Sequence, residues 1–346
     1  MRSLGAVCLL VLTLVLGCSS GDNQQQPTWV EDEVSFDAAG LTIHGTYRHQ
    51  QGAPAGPAAL LISESGRTDR NGDNAVAGPV GNMRQLAEYL SGHGVASLRY
   101  DKIGTGATGP GPFREHPQDV GSAVYTDGAK AAIRFLAGQA GTDPAHISVY
   151  GLGEGATHAT ALAVDTTPNA PKVHALGLLQ PLPGRYLDLI TARVRADTAA
   201  AVKAGGKTQE QADGVVAAWT AAVADARSSG KAPPAELPDG LSAILNPGNV
   251  KAVVEADAVD PLAEAAKIPP ATLVLMTCSD SDSQANCADI QPLARALAHT
   301  QLTLVQLKGV SHVLRDDPTD SVANYAKQDP LSSQLTSALD KFLGSN

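Results

Sequence analysis

The 346-residue sequence has little of three things: cysteine, aromatic side chains and positive charge. It contains four cysteines, 4% aromatic residues, and 25 Lys and Arg against 35 Asp and Glu, which gives a formal net charge of −10. An acidic chain without a basic cluster is not expected to bind nucleic acid. The hydrophobic share of 43% nevertheless supports a substantial core, so one large α/β domain with an insertion is expected, or two domains.

The N-terminal apolar run, residues 4–17, is shorter than the roughly 20 residues that a membrane-spanning helix needs, so residues 1–17 are predicted to be a signal peptide. Gly17 directly before Cys18, with Val15 at the aliphatic position, resembles the lipobox of bacterial lipoproteins, although Leu16 is larger than the usual residue. The resemblance implies cleavage before Cys18 and an acyl anchor on its thiol, at the extracytoplasmic face of a bacterial cell membrane. The alternative is an ordinary secretory signal with an incidental cysteine.

Residues 18–30 follow as a polar, proline-containing tether. If Cys18 is acylated, Cys278 and Cys287 are left as a pair in an oxidising compartment, and we predict a disulfide between them. Such a bridge stabilises the fold by roughly 2–3 kcal/mol on the loop-entropy model. No further Cys or His lies at ligand spacing, so no metal site is predicted there.

Strand and helix signals alternate along the mature chain. They predict an α/β fold with a doubly wound, mostly parallel sheet of eight strands. Residues 31–183 and 268–346 form the predicted core, which opens with an antiparallel pair. The strand predictions rest on these apolar runs: EDEVSFDA, LTIHGTYRH, AALLISE, VASLRYD, HISVYG, HALGLLQPL, ATLVLMTCS and LTLVQLKG.

Residues 184–267 interrupt this alternation with helical patterns only. YLDLITARV and GVVAAWTAAV each place their apolar residues on one helical face, and Gly- and Pro-rich breaks separate them. An insertion at this point would lie over the carboxyl ends of the strands, where open α/β sheets bind ligands. We therefore expect residues 184–267 to form a helical lid, whose many alanines and few aromatics suggest a modest apolar pocket.

The stretch GLGEG, residues 151–155, lies between a β-branched strand and an Ala-rich helix. That is the setting of the nucleophile elbow G-x-S-x-G, in which a serine sits on a sharp turn between a strand and a helix. The central residue here is Gly153, which supplies no nucleophile.

The order of elements resembles the α/β-hydrolase superfamily, in a bacterial branch of esterase- and peptidase-like hydrolases. Four segments carry the resemblance: ESGRTDRNGDN is similar to GSGPxDRDG, LRYDKIGTGAT to RYDKRGxGxS, GLGEG stands at the elbow, and VSHVLRDDP is similar to the late histidine loop. The resemblance covers residues 31–346. It implies an enzyme-type pocket for a small acyl or lipid-like ligand and no cofactor.

Carried over position by position, the resemblance makes His312 the general base. The acid should follow the seventh strand, where Asp280 and Asp282 compete; the pattern S-x-x-D-x-Q favours Asp282 and leaves Asp280 as a turn residue. The order of elbow, Asp and His is the one that these hydrolases show. The predicted Cys278–Cys287 bridge would brace the same loop.

The oxyanion donors would be the backbone N–H groups of Ser65 and Glu154. Glu64 stands where the family usually has Gly, and a carboxylate there would oppose negative charge unless it points to solvent. Three nearby charged residues are expected to form a structural ion-pair cluster, with direct substrate contact as the alternative: Arg67, Asp69 and Arg70.

Two functions remain open from the sequence, with a purely structural role at the cell envelope as a further alternative. One is a catalytically impaired, esterase-like lipoprotein that keeps Asp282, His312 and a ligand pocket. The other is an active carboxylic-ester hydrolase that uses water or a non-standard nucleophile. If only the serine is missing, Gly153→Ser should by itself create esterase activity.

Overall fold

The computed structural model describes residues 28–345. The signal peptide, Cys18 and residues 18–27 of the predicted tether lie outside this part of the chain, so the lipidation prediction stays a prediction. Among residues 28–345, no helix is both long enough and apolar enough to cross a membrane.

One sheet of eight strands organises the chain, in the order β1-β2-β4-β3-β5-β6-β7-β8. β2 pairs antiparallel with β1 and with β4, and all later neighbours are parallel. The predicted mostly parallel, eight-stranded sheet is therefore confirmed. Its strands are β1 Trp29–Ala38, β2 Leu41–Gln50, β3 Gly56–Ile62, β4 Ala96–Tyr100, β5 Thr142–Leu152, β6 Ala175–Leu179, β7 Leu273–Ser279 and β8 Gln301–Leu307.

Helices cover both faces of the sheet because the central strands are apolar on both sides. One face packs against α2, α3, α7 and α8 in a core that includes Leu60, Ile133 and Leu162. The other packs against α1 and α10 around Leu86 and Leu339. The helices are α1 Asn82–Ser91, α2 Ser122–Ala137, α3 Gly155–Ala163, α4 Tyr186–Lys203, α5 Gln209–Ser229, α6 Val250–Ala258, α7 Pro261–Ala265, α8 Gln291–Ala296, α9 Val322–Tyr325 and α10 Ser333–Leu343.

Between β6 and β7 the chain forms α4 to α7 and a short 3₁₀ helix, Pro238–Ala243. Its first three α-helices share a hydrophobic cluster of their own around the fully buried Trp219. Buried Asp257 ties α6 to its neighbours, because it accepts hydrogen bonds from Leu187 N at 2.9 Å and from Arg227. The segment predicted as a lid is thus helical, and its action as a lid stays a prediction.

Candidate active site

GLGEG forms a sharp turn between β5 and α3. Gly153 has φ +55°, in the left-handed region that favours glycine. Its N–H donates to Leu179 O at 3.0 Å, and its carbonyl accepts from Ala156 N at 3.1 Å. The backbone therefore has the strand–turn–helix form of a nucleophile elbow, with glycine at the apex.

The space beside the apex is filled by the Glu64 carboxylate, which comes from the loop after β3. A Cβ atom placed on Gly153 would overlap Glu64 Oε2. The Glu64 side chain is only 18% exposed. It therefore does not point freely to solvent, the one orientation in which it was not expected to oppose negative charge at the oxyanion site. The position that a serine would use belongs to a carboxylate.

His312 lies in the loop after β8 and is buried between two carboxylates. Its Nδ1 is 2.8 Å from Asp282 Oδ2, and its Nε2 is 2.7 Å from Glu64 Oε2. Asp282 is fully buried and also accepts from the backbone N–H groups of Gln284 at 2.7 Å and Ala285 at 3.1 Å. These bonds fix the acid and the imidazole in one orientation.

The two carboxylates hold His312 in its cationic form. Burial alone would lower its pKa, but the charges of Glu64 and Asp282 and the hydrogen bonds to both raise that pKa well above 6.5. Burial alone would raise the pKa of Glu64, yet the charge of His312 and hydrogen bonds from His312 and Ser65 lower it to about 2. At neutral pH the imidazole is a donor on both nitrogens and has no lone pair to accept a proton.

One predicted oxyanion donor is also engaged by this carboxylate. Ser65 N donates to Glu64 Oε1 at 2.7 Å. The N–H of Glu154, the other predicted donor, has no hydrogen-bond partner within residues 28–345. Glu64 thus contacts the elbow apex, the imidazole and an oxyanion donor at once.

A buried lysine supports the loop that carries Glu64. Lys102 Nζ donates to the backbone carbonyls of Ser63, at 3.4 Å, and Glu64. It also lies 5.7 Å from the centre of the Tyr125 ring. Burial lowers the pKa of Lys102, and burial raises the pKa of the neighbouring Glu154. The lysine fixes the backbone from which the Glu64 side chain reaches His312.

The loop after β7 separates the two candidate acids. Asp282 faces His312, whereas Asp280 accepts from Gly309 N at 2.8 Å and is exposed. Cys278 and Cys287 close this loop with an S–S bond of 2.06 Å. The bridge therefore lies at the base of the segment that presents Asp282.

The predicted cluster of Arg67, Asp69 and Arg70 does not form. Arg70 pairs with Glu33 at 2.6 Å and Asp101 at 2.9 Å, and Asp69 accepts from backbone N–H groups of its own turn. Arg67 is exposed and makes no ion pair with any residue between 28 and 345. The three residues therefore do not pair with one another, because the Asp69 carboxylate accepts hydrogen bonds from the backbone of its own turn.

Arg67 lines a cavity of about 160 Å³, whose wall includes Tyr125, the ring near Lys102. Its walls come from the loops after β3 and β4, from α2 and from the start of α6 in the helical insertion. They include Ile103, Phe113, Val120, Tyr125 and Asn249. In the described part of the chain, no group of acidic, His or Cys side chains is arranged to hold a metal ion.

Sequence reasoning missed the role of Glu64. Two signals were present, a glutamate where the resemblance implies glycine and a glycine where it implies serine. Only the fold brings these two departures into contact, since the loop after β3 and the elbow after β5 lie at the ends of adjacent parallel strands.

Comparison with known proteins agrees with the fold. No family model matches the chain. Two proteins of Mycobacterium tuberculosis, both described as uncharacterized, are 33% identical over 139 residues, which is 40% of this chain and 43% of each relative. The match thus spans less than half the length of these relatives.

Solved structures match most of the chain. The match to the Pyrococcus furiosus esterase Pf2001 covers 92% of this chain and 93% of the esterase, with a TM-score of 0.53 and 14% identity. The α/β-hydrolase GrgF from Penicillium sp. sh18 covers 91%, with 98% of its own chain, a TM-score of 0.54 and 17% identity. Est1E from Butyrivibrio proteoclasticus, bound to ferulic acid, covers 85%, with 96% of its own chain, a TM-score of 0.52 and 16% identity.

The chain has the α/β-hydrolase fold. At these identities the likeness concerns the fold, and the chemistry has to be argued from the site itself.

Proposed function

We propose that this protein is an esterase-like α/β-hydrolase in which serine-type ester hydrolysis is silenced, and that its cleft binds a small acyl or lipid-like ligand. The observation that carries the proposal is the Glu64 carboxylate between Gly153 and His312, with Oε2 at 2.7 Å from Nε2.

This one carboxylate removes three parts of the serine mechanism. It fills the space of the missing serine, it keeps His312 protonated, and it occupies the Ser65 N–H. Acyl transfer needs a nucleophile, a base that accepts its proton and free oxyanion donors. Enzymes that have lost only triad side chains keep roughly 10³–10⁴-fold acceleration over water from their oxyanion hole and substrate binding. Here this remaining acceleration should be smaller, because Glu64 occupies the Ser65 N–H.

The cavity beside Arg67 supports a binding role. Its apolar and aromatic walls suit an acyl chain or a small lipid-like group. Its size of about 160 Å³ suits only a small part of such a ligand. Asn249, at the start of α6, contributes to the wall, which supports the proposal that residues 184–267 act as a lid.

The second candidate is an acyl hydrolase that uses water or a non-standard nucleophile. The observation that favours it is the same carboxylate, since Glu64 Oε2 lies where an attacking atom would be. Attack of the Glu64 carboxylate on an acyl carbon would give a mixed anhydride, which water would then have to hydrolyse. The cationic His312 has no lone pair with which to activate that water, so we place this candidate second.

We further propose that the protein is anchored at the extracytoplasmic face of a bacterial membrane through Cys18. Support comes from the apolar run and the Gly17-Cys18 pair alone. A ligand of lipid-like character would be available at that surface.

The parent protein tests the proposal directly. With p-nitrophenyl acetate and hexanoate we expect no hydrolysis above a protein-free blank, and with a fluorophosphonate probe no labelled serine. Organic extraction of the purified protein should yield a bound apolar molecule. Turnover of the esters, or a labelled serine, would contradict the silencing.

A further inference from the structure

The cavity that Arg67 lines has mostly apolar walls. The apolar side chains come from the core and from α6 of the insertion: Ile103, Pro110, Phe113, Pro117, Val120 and Ala252. Within residues 28–345 no acidic side chain lines this cavity, and Arg67 is its one charged group. Neither Glu64 nor His312 belongs to the wall, so a ligand can fill the cavity without displacing the carboxylate from the imidazole.

Arg67 is positioned beside this cavity by the loop after β4. Its side chain lies against Gly104, where an added Cβ atom would be 3.6 Å from Arg67 Nε. Among residues 28–345 no carboxylate pairs with its guanidinium, in contrast to Arg70, which pairs with Glu33 and Asp101. The exposed guanidinium therefore keeps its N–H donors available to a molecule in the cavity.

Tyr125 brings a second donor to the same wall. Burial and the charge of Glu154 raise the pKa of Tyr125, the charge of Arg67 lowers it, and no hydrogen bond from the described residues acts on the hydroxyl. Burial raises the pKa of Glu154 and the charge of Lys102 lowers it. Since Lys102 offsets Glu154, Arg67 is the cation that remains for a ligand. The Asn249 amide is already bonded within the insertion.

We propose that this cavity binds the free monocarboxylic acid of a short apolar chain, with its carboxylate on Arg67 and Tyr125. The inference rests on the proposed function and names the class of its ligand. A guanidinium can form two parallel hydrogen bonds to a carboxylate, and these are stronger than hydrogen bonds between neutral groups. The phenol O–H donates to the same head group, while the chain lies against the apolar wall.

The size of the cavity limits the apolar part of this acid. An engineered apolar cavity of about 150 Å³ in another protein binds one benzene molecule, and the cavity here measures about 160 Å³. A chain of about six carbons is therefore a suitable occupant, as in hexanoate. A diacyl lipid is too large to enter.

The charged head group determines which molecules are selected. An ester or amide of the same acid is neutral, so it can accept only an ordinary hydrogen bond from Arg67. The cavity should therefore hold the free acid and not its ester. This preference is the reverse of what an esterase needs in its substrate, and it agrees with a protein in which ester hydrolysis is silenced.

Calorimetric titration of the purified protein at neutral pH compares hexanoate with its neutral analogue hexanamide. We expect hexanoate to bind about 10–100-fold more tightly, because hydrogen bonds to a charged group contribute more than those between neutral groups. Affinity should fall by roughly fourfold for each CH₂ group removed from hexanoate.

Arg67→Gln should remove the preference for hexanoate, and Arg67→Lys should keep part of it because the charge is retained. Arg114→Gln is the matched control and should bind as the parent does. Arg114 is exposed and directly follows Phe113 in the chain, but it does not line the cavity.

Equal affinities of the parent for hexanoate and hexanamide would overturn the inference, as would equal losses of hexanoate binding in Arg67→Gln and Arg114→Gln. The comparison of the two ligands uses the parent alone, so it holds even if a variant does not fold. Absence of hexanoate binding together with inert p-nitrophenyl esters would remove this inference and leave the proposed function. Turnover of those esters would instead remove the proposed function.

Discussion

Glu64 and Gly153 exclude each other's side chains: the Glu64 carboxylate lies where the first side-chain carbon of residue 153 would have to be. The same carboxylate is bonded to His312 and to the backbone of Ser65. A side chain at position 153 would therefore have to displace the Glu64 carboxylate from these bonds, besides adopting a φ of +55°. The effect of a substitution at position 153 therefore depends on the residue at position 64, and the reverse also holds.

The first prediction concerns a gain of esterase activity. The sequence alone predicts that Gly153→Ser is sufficient, but the structure corrects this expectation, because the serine would collide with Glu64. We expect Glu64→Gly/Gly153→Ser to hydrolyse p-nitrophenyl acetate at least about 10²-fold faster than the parent, and Gly153→Ser alone to remain inactive and less stable. Glu64→Gly is the matched control. Adding His312→Ala to the pair should abolish the gain; a gain that survives this change would argue against the triad.

The second prediction distinguishes the two aspartates after β7. In the Glu64→Gly/Gly153→Ser background, Asp282→Asn should lower kcat by about 10²-fold, back toward the parent, because Asp282 fixes the tautomer of His312. Asp280→Asn changes an exposed residue of the same loop and should have little effect. Equal losses of kcat in the two variants would mean that the loss comes from a change in the loop and not from the contact between Asp282 and His312.

The third prediction is a pH dependence of stability. The pKa of Glu64 is lowered to about 2, so its stabilisation is present above its ordinary pKa of 4.5 and is lost as the pH falls toward 2. The pKa of His312 is raised, so its stabilisation is present below 6.5 and is lost as the pH rises through the raised value. In Glu64→Gln, the loss of unfolding free energy between about pH 5 and pH 2 should be smaller than in the parent by about 3 kcal/mol. Urea unfolding across the pH range measures this, and parallel curves for parent and variant would count against the ion pair.

The fourth prediction concerns the bridge between Cys278 and Cys287. Replacing both cysteines with serine should lower the free energy of unfolding by roughly 2–3 kcal/mol. Peptide mapping without reductant should find the two residues linked in the parent. Two free thiols in the purified protein would refute the pairing.

The fifth prediction concerns the anchor. Cys18→Ala should release the protein from the membrane fraction of its host, because no acyl chain could then be attached at this position. Cys8→Ala changes a cysteine inside the predicted signal peptide and should leave the membrane association intact. Continued association of the Cys18→Ala protein would favour an ordinary secretory signal or another attachment.

The sequence predicts the sheet well because its strands are continuous apolar runs between turn residues, as in AALLISE and ATLVLMTCS. Its resemblance to the α/β-hydrolases also singles out Asp282, through the pattern S-x-x-D-x-Q, and His312, through the segment VSHVLRDDP. It does not show where the Glu64 side chain points, since that direction depends on the loop held by Lys102 and on the space left by Gly153. Such a contact between distant positions has no local signature in a single sequence.

The carboxylate that engages His312 belongs to the same chain as the imidazole. Because the encounter of the two groups is intramolecular within the folded chain, dilution or dialysis cannot remove Glu64 from the site. A free carboxylic acid would have to compete with this tethered group before it reached His312. Occupancy of the imidazole by Glu64 is therefore independent of the protein concentration.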